Sequence, residues 1–245
     1  MDKIPVKLEN DPIIEAIFEI RFNTEVQSAA DLLPGLLFPE LRKDFPRIEP
    51  LPVSQIPQVI RDRDPDLRYQ PRHRLVGERS WVLLGDRSAA IACKPPYIGW
   101  TDFRRVILQL VRLLEGTKLI KEVERFSLKY INLLSGTGPA EQFSQIRFSA
   151  DLAGISLVNQ ITQLKTELIE DDFVNIVEIM SNAVVVTEPG QTLKGMVLAI
   201  DTIRMNPKDF WSQSDYLIDR AHSTEKSIFF RSLTKETINS LKPKW

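Results

Sequence analysis

Alternating apolar and polar residues near the amino terminus predict a half-buried β-strand. From Ile13 to Phe22 every second residue is apolar, and Glu15, Glu19 and Arg21 lie between the apolar positions. Successive side chains of a strand point to opposite faces of a sheet, so this period of two separates an apolar face from a charged one. The stretch from Val123 to Leu134 alternates in the same way and predicts a second long strand.

A different period predicts the main helices. From Phe103 to Leu114 apolar residues recur every three or four positions, which predicts an amphipathic helix that follows a Pro-Pro turn. The tail predicts one helix from Asp209 to about Ser232 and a short one capped by Thr234. A third apolar run, from Ser28 to Phe45, contains prolines, and we expect them to split it into two short helical pieces.

The rest of the chain predicts short strands and loops. The proline-dense segment from Pro46 to Pro71 is typical of an extended loop with little regular structure. The expected strands, separated by turn residues, are Arg68–Val76, Trp81–Leu84, Ser88–Lys94, Thr162–Glu170, Phe173–Met180, Ala183–Glu188 and Leu193–Met205.

This order of elements indicates an α+β fold built from two similar halves. Each half runs as strand, helix, three strands, helix, which predicts a pseudo-twofold arrangement of two mostly antiparallel sheets, each covered by a helix. We place the boundary so that residues 1–134 form the amino-terminal half and residues 135–245 the carboxy-terminal half, intimately packed as one structural unit. Helices do not alternate with single strands, which argues against Rossmann and TIM-barrel organisations.

Composition narrows the classes of partner. The chain has 245 residues, 43% of them hydrophobic, and 32 basic against 33 acidic residues give a net charge of −1. This charge does not favour nucleic acid or a membrane surface as the partner, although a local basic patch stays open. No apolar run approaches the roughly 20 residues of a membrane helix, and the amino terminus lacks the apolar core of a signal peptide. We therefore expect a cytoplasmic protein without membrane contact.

Several chemistries lack sequence support. Cys93 is the single cysteine and lies in an apolar run, so we expect a buried thiol and neither a disulfide nor a nucleophile. The two histidines, His73 and His222, are far apart, and no zinc-binding spacing appears. The nucleotide loops and the hydrolase and zincin motifs are also missing. We expect no metal and no cofactor.

Basic and aromatic residues near the central helix and on the strand after it, together with one asparagine, form the candidate ligand-binding set. If the aromatic residues of the turn are exposed among cations, they offer the stacking and charge that bind single-stranded nucleic acid or an anionic ligand. In the alternative interpretation, the aromatic residues fasten the helix to the core and the cations form a solvated face. The set consists of Lys94, Tyr97, Trp100, Arg104, Arg125, Lys129 and Asn132.

Acidic groups give two further expectations. Glu15 and Glu19 are complementary to Arg125 and Lys129, and pairing of the two strands would form a cross-strand ionic ladder. Asp201 lies on an apolar strand face, where we expect an Arg, a Tyr or a backbone amide as its partner. No catalytic residue is assigned. Weak alternatives for proton transfer are Asp201 and His222.

Three segments carry a resemblance to a known family. These are PIIEAIFEIRF from Pro12, PPYIGWTDF from Pro95 and LKYIN from Leu128. With them the chain resembles, over almost its full length, a sporadically distributed prokaryotic family of uncharacterised α+β proteins. The family more often has Arg where this chain has Lys129, which keeps the charge but removes a bidentate donor. The resemblance implies a full-length unit and no particular activity.

Two functions of different classes remain. The first is an intracellular binding or accessory protein without catalytic activity, which acts through a cleft between the halves or through a partner surface and recognises another protein or an anionic ligand. The alternative is an enzyme that acts on an anionic or nucleic-acid substrate. A homodimer is a further expectation, because antiparallel sheets must hide or blunt their edges.

Overall fold

The protein is an α+β chain with a large antiparallel sheet and six α-helices in the described region. The structure is a computed structural model that describes residues 4–187 and 190–245. None of the described helices combines the length and the apolarity needed to cross a bilayer. The helices are α1 (Ala29–Leu41), α2 (Gln58–Arg63), α3 (Trp100–Thr117), α4 (Pro139–Phe143), α5 (Phe210–Ser232) and α6 (Lys235–Ser240).

Thirteen strands are assigned in the same region. The strands are β1 (Lys7–Leu8), β2 (Ile13–Thr24), β3 (Arg47–Pro50), β4 (Pro71–Val76), β5 (Ser80–Gly85), β6 (Ser88–Cys93), β7 (Ile120–Ser135), β8 (Asp151–Leu152), β9 (Ile155–Ser156), β10 (Gln163–Glu170), β11 (Phe173–Thr187), β12 (Gln191–Met205) and β13 (Pro243–Lys244).

The chain forms two compact units, and neither is a continuous segment. Unit 1 comprises Met1–Glu15 as far as it is described, Lys129–Thr202 and Ala221–Trp245. Unit 2 comprises Ala16–Leu128 and Ile203–Arg220. The predicted division after residue 134 and the pseudo-twofold relation of the two halves stay predictions.

Unit 2 is built on an antiparallel meander with a buried apolar row. Its strands lie in the order β2-β6-β5-β4-β3. Phe18 lies opposite Ile91, Ile91 opposite Val82, and Val82 opposite Leu75, and all four side chains are fully buried. Helix α1 packs on β4 and β5, and α3 packs on β6. The apolar stripe predicted for α3 is confirmed, because its residues at three- and four-residue spacing are buried.

Unit 1 contains the strand order β10-β11-β12-β7. Its core joins Leu198 and Ile200 of β12 to Ile228 and Leu233 of the α5 region. At Gly195 the backbone of β12 approaches β7 so closely that a Cβ would collide with the carbonyl oxygen of Leu134. Only glycine can occupy a strand position with so close a backbone neighbour.

Two expectations about helices and loops were wrong. Helix α1 is continuous through Pro34 and Pro39, because burial of its apolar residues, including Leu33 and Leu37, offsets the lost backbone hydrogen bonds. The segment from Pro46 to Pro71 is not simply a loop, since it contains β3, a 3-10 turn at Pro52–Gln55 and α2.

One expectation about strands was also wrong. Residues 173–188 do not form two strands separated by a Ser-Asn turn, because β11 runs without interruption from Phe173 to Thr187. Asn182 adopts a left-handed conformation with φ 55° inside the strand, which an asparagine tolerates better than most residues. The end predicted at Glu188 lies outside the described residues.

Candidate functional sites

A cluster of buried charges in unit 2 joins four chain segments. The Asp86 carboxylate, in the turn between β5 and β6, accepts hydrogen bonds from Arg61 of α2 and Arg72 of β4, each at 3.1 Å. It also accepts one from the Ala30 amide at the start of α1, at 3.2 Å. The second terminal nitrogen of Arg72 donates to Asp31 at 2.8 Å. Both oxygens of the Asp86 carboxylate are therefore engaged by neighbouring groups of the same unit, and the Asp86 cluster serves the fold.

Lys94 packs against an aromatic residue that the sequence had not singled out. Its ammonium lies 4.1 Å from the centre of the Trp81 ring, and the Arg74 guanidinium lies 4.8 Å from the same centre. Arg74 also donates to Glu49 at 2.6 Å, and this hydrogen bond lowers the pKa of the Glu49 carboxyl. Trp81 thus carries two cations, and Glu49 holds Arg74 in place.

The aromatic turn before α3 faces the core of unit 2. Tyr97 packs edge-to-face against Phe103 with ring centres 5.9 Å apart, and Phe103 is fully buried. Gly99 has φ 86°, a left-handed value that glycine adopts without strain, and Trp100 begins the helix half-buried. For Tyr97 this packing supports the interpretation as a helix fastener.

Two candidate arginines of unit 2 are engaged by carboxylates. Arg104 donates to both oxygens of Asp219, at 2.8 and 2.9 Å, and this raises its pKa. Arg125 donates to Glu19 at 2.9 Å, and Arg21 donates to the same oxygen at 2.7 Å. The predicted ion pair between Glu19 and Arg125 is confirmed.

The remaining candidates lie in unit 1. Burial raises the pKa of the Glu15 carboxyl, and the positive charge of Lys129 opposes this shift only in part. Asn132 is buried and donates to the Leu198 carbonyl at 3.1 Å, so its side-chain amide holds β7 to β12. Lys129 and Asn132 stay predicted ligand-binding residues.

The two weak catalytic alternatives also lie in unit 1. His222 is half-buried, and its ring centre lies 6.2 Å from that of Tyr130. Asp201 is half-buried on β12 and has an interaction partner. Cys93, in unit 2, is buried, which raises the pKa of its thiol. Among residues 4–187 and 190–245, no group of three or more His, Cys, Asp or Glu side chains is arranged to hold a metal ion.

A pocket of about 610 Å³ in unit 1 is the concave site that the sequence did not reveal. The segment after α4 is joined by backbone hydrogen bonds to the end of α5 and the α5–α6 connection, since the Arg147 amide donates to the Ser232 carbonyl and the Thr234 amide donates to the Gln145 carbonyl. Pairing of β1 with β13 brings the two ends of the chain together. The pocket is lined by Ile4, Pro5, Arg147, Glu170, Ser227, Phe230, Arg231, Lys235, Ile238, Asn239 and Trp245.

Cations outnumber carboxylates around this unit 1 pocket. Among the side chains that line it, Arg147, Arg231 and Lys235 supply three positive charges, and Glu170 supplies one negative charge. Arg231 and Glu170 form an ion pair. Arg147 and Lys235 are exposed and form no ion pair with any described residue. The pocket therefore presents two uncompensated cations beside an apolar wall.

A buried carboxyl group lies on α5, elsewhere in unit 1. Glu225 is 5% exposed, and burial raises the pKa of its carboxyl to about 8. The neighbouring Lys226 is half-buried, and desolvation lowers its pKa. No hydrogen bond or salt bridge of the Glu225 carboxyl appears within the described part of the chain, so its neutral form is the stable one near pH 7.

Neither a family model nor any curated protein matches this chain. The geometry of its own residues is therefore the basis for assigning a function.

Proposed function

We propose that the chain is a binding or accessory protein without catalytic activity, and that its ligand is a small amphipathic anion held in the unit 1 pocket. The observation that carries the proposal is the combination of two uncompensated cations, Arg147 and Lys235, with an apolar wall around about 610 Å³. Small-molecule sites are typically concave spaces of roughly 300–1,000 Å³ with a few placed polar groups.

Each part of the pocket has a physical role in this proposal. A phosphate or carboxylate head would bind Arg147 and Lys235 through charge-assisted hydrogen bonds. Its apolar part would cover Phe230, Ile238 and Trp245, and removal of apolar surface from water contributes about 25 cal/mol per Å². Trp245 is 57% exposed, so it has considerable surface left to cover.

The cations of unit 2 support this choice of pocket. Arg104 and Arg125 already donate to carboxylates, and Arg72 is enclosed by the Asp86 cluster. An anion that bound to them would compete with a negative charge that is already in place. At Arg147 and Lys235 an incoming anion meets no such competitor among the described residues.

The second candidate function is an enzyme that acts on an anionic or nucleic-acid substrate. Glu170 is the sole acidic side chain among the described residues lining the pocket, and it is paired with Arg231. His222 and Asp201 are not among the lining residues. A general acid or base must reach the reacting group, so this arrangement favours binding over turnover.

The proposal has three further parts. They are membership of the prokaryotic family described above, a cytoplasmic location, and a pseudo-twofold relation of the two halves. The element order supports the last point once the short elements β3, α2, β8 and β9 are left aside, since β2 is then followed by α1, β4–β6 and α3, and β7 by α4, β10–β12 and α5. Within unit 2 the order is β2-β6-β5-β4, and within unit 1 it is β7-β12-β11-β10. In both orders the long first strand, β2 or β7, pairs with the last of the three strands that follow it in sequence, β6 or β12.

Calorimetric titration with octyl phosphate tests the pocket. Inorganic phosphate and octyl glucoside are the matched probes, because the first lacks the chain and the second lacks the charge. We expect octyl phosphate to bind at least tenfold more tightly than either. The double substitution Arg147→Ala with Lys235→Ala should weaken it at least tenfold, whereas Lys194→Ala, which removes an exposed lysine of unit 1 outside the pocket, should not.

Equal affinity for octyl phosphate and octyl glucoside would contradict the proposal, as would equal affinity of the wild-type protein and the double variant. Release of inorganic phosphate from octyl phosphate, lost in the double variant, would support the enzyme instead. Circular dichroism and urea unfolding of each variant show whether a loss of binding comes from a loss of fold.

A further inference from the structure

The outermost strand of unit 1 has an edge that no described strand pairs with. Strand β10 pairs with β11 on one side, and no described strand pairs with its other side. It is eight residues long, contains no proline, and exposes Leu168 by 40% and Ile169 by 77%. Natural proteins blunt such edges with short strands, charges or prolines, because an open edge pairs readily with another chain.

The outer strand of unit 2 shows what a protected edge looks like. Strand β3 has four residues, ends at Pro50 and carries Arg47 and Glu49. Glu49 is held by Arg74 of the neighbouring strand. A strand this short, with a proline at its end, offers few backbone groups for pairing. Strand β10 is twice as long and has no proline, so its charged residues Lys165, Glu167 and Glu170 are the one such protection it carries.

The hairpin register shows which backbone groups of β10 face outward. The Ser181 amide donates to the Thr162 carbonyl at 3.0 Å, and Gln163↔Met180 to Glu170↔Phe173 continue the same register without a shift. Hydrogen-bonded and non-hydrogen-bonded pairs alternate in an antiparallel ladder. The even-numbered residues of β10 therefore bond to β11, and Lys165 and Glu167 direct their N–H and C=O groups to the open edge.

We propose that a second copy of this chain covers the edge, with β10 pairing antiparallel to the partner's β10 about a twofold axis at Thr166. In this register Lys165 lies opposite the partner's Glu167, and Leu164 lies opposite the partner's Leu168. A shift by two residues in either direction places Lys165 opposite the partner's Lys165 or Glu167 opposite the partner's Glu167. Like charges directly opposite each other are unfavourable, so charge selects the proposed register.

The charges already present on β10 fit this register. The Lys165 ammonium lies 3.2 Å from Glu178 of β11, and Glu167 forms no ion pair with any described residue. In the dimer, Lys165 would lie between Glu178 of its own copy and the partner's Glu167. The carboxylate of Glu167 would gain its cation from the second copy. The inference does not depend on the proposed ligand pocket.

A charge reversal and its rescue test the register by analytical ultracentrifugation. We expect the wild type to dimerise at micromolar concentrations. Glu167→Lys and Lys165→Glu should each raise the dimer dissociation constant at least tenfold, because each places like charges opposite one another, and the double reversal should restore it to within about threefold. Glu167→Lys is the cleaner of the two, since Lys165→Glu also disturbs the contact with Glu178.

Disulfide trapping gives an independent readout. In the proposed dimer Thr166 lies opposite the partner's Thr166, and the two residues form a non-hydrogen-bonded pair. The Cα atoms of such a pair are roughly 4.5 Å apart, which is close enough for a disulfide. In a Cys93→Ala background, Thr166→Cys should form a covalent dimer under mild oxidation. Thr101→Cys, at an exposed position on α3, should remain largely uncrosslinked.

A wild type that is monomeric at 100 µM would overturn the inference. So would a dimer that Glu167→Lys leaves unchanged, or equal crosslinking at positions 166 and 101. If the edge instead binds a strand of another protein, the purified wild type would be a monomer. Circular dichroism of the charge variants separates lost association from lost folding.

Discussion

Two buried carboxyl groups, one in each unit, respond differently to the cost of removing a carboxylate from water. Asp86 of unit 2 is 9% exposed and Glu225 of unit 1 is 5% exposed. Asp86 receives two guanidinium groups and a backbone amide. Glu225 receives no hydrogen bond from a described residue, and burial raises its pKa to about 8.

The comparison teaches that burial alone does not determine how a carboxyl group affects stability. A charge removed from water is tolerated where partners replace the water, as at Asp86. Where partners are missing, the group retains a proton instead. The same kind of side chain therefore anchors four segments in unit 2 and makes unit 1 sensitive to pH.

The largest expected effect is the pH dependence of stability caused by Glu225. Its pKa is raised from 4.5 to about 8 in the folded state, so the folded protein binds a proton that the unfolded chain releases between these values. This contribution to the free energy of unfolding is complete below pH 4.5 and is lost as the pH rises to 8. Its size is on the order of 5 kcal/mol.

Urea unfolding between pH 4 and 9 measures this effect in the wild type and in Glu225→Gln. The glutamine cannot ionise, so the difference between the two profiles isolates position 225 from Asp11 and Glu15, whose pKa values burial also raises. Parallel profiles of the two proteins would show that Glu225 ionises freely in the folded state.

The second effect comes from removing the carboxylate of the Asp86 cluster. Asp86→Ala leaves the guanidinium groups of Arg61 and Arg72 buried without their shared partner, and we expect the free energy of unfolding to fall by roughly 3–5 kcal/mol. Chemical denaturation at pH 7 measures it. Asp86→Asn keeps the shape of the side chain and one acceptor oxygen. Its free energy of unfolding should therefore lie between those of the alanine variant and the wild type.

The smallest effect is expected at Asp31, the outer partner of Arg72. Its side chain is 53% exposed, and Arg72 keeps its bond to Asp86 when Asp31 is removed. Asp31→Ala should therefore cost at most about 1 kcal/mol in the same denaturation experiment. If Asp31→Ala lowered the free energy of unfolding as much as Asp86→Ala, the two carboxylates would contribute equally to holding the guanidinium group of Arg72.

The periodic elements could be predicted from sequence because a single burial pattern determines each of them. Strand β2 and helix α3 were predicted in this way. The Thr234 cap of α6 was predicted from the preference of threonine for helix starts, and it is confirmed by the Thr237 amide, which donates to the Thr234 hydroxyl. Helix α1 was not predicted correctly, because local proline rules were outweighed by tertiary burial. The loop prediction for residues 46–71 failed because Arg61 of α2 finds its charged partner in a distant turn.

The pocket could not be predicted, because its lining comes from both ends of the chain and from segments around residues 147, 170 and 230. No spacing in the sequence connects these segments. Glu225 was within reach of the sequence, since Ile218, Ala221 and Ile228 form a buried stripe on α5 and Glu225 occupies the same stripe. A charged residue at such a position indicates a titratable group in the core.

The close approach at Gly195 limits how this chain can change over time. Any side chain at that position would push β12 away from the carbonyl of Leu134 and open the unit 1 sheet. A substitution there acts on the pairing of two long strands, so its effect would reach the whole sheet of unit 1 and not only the side chains around position 195.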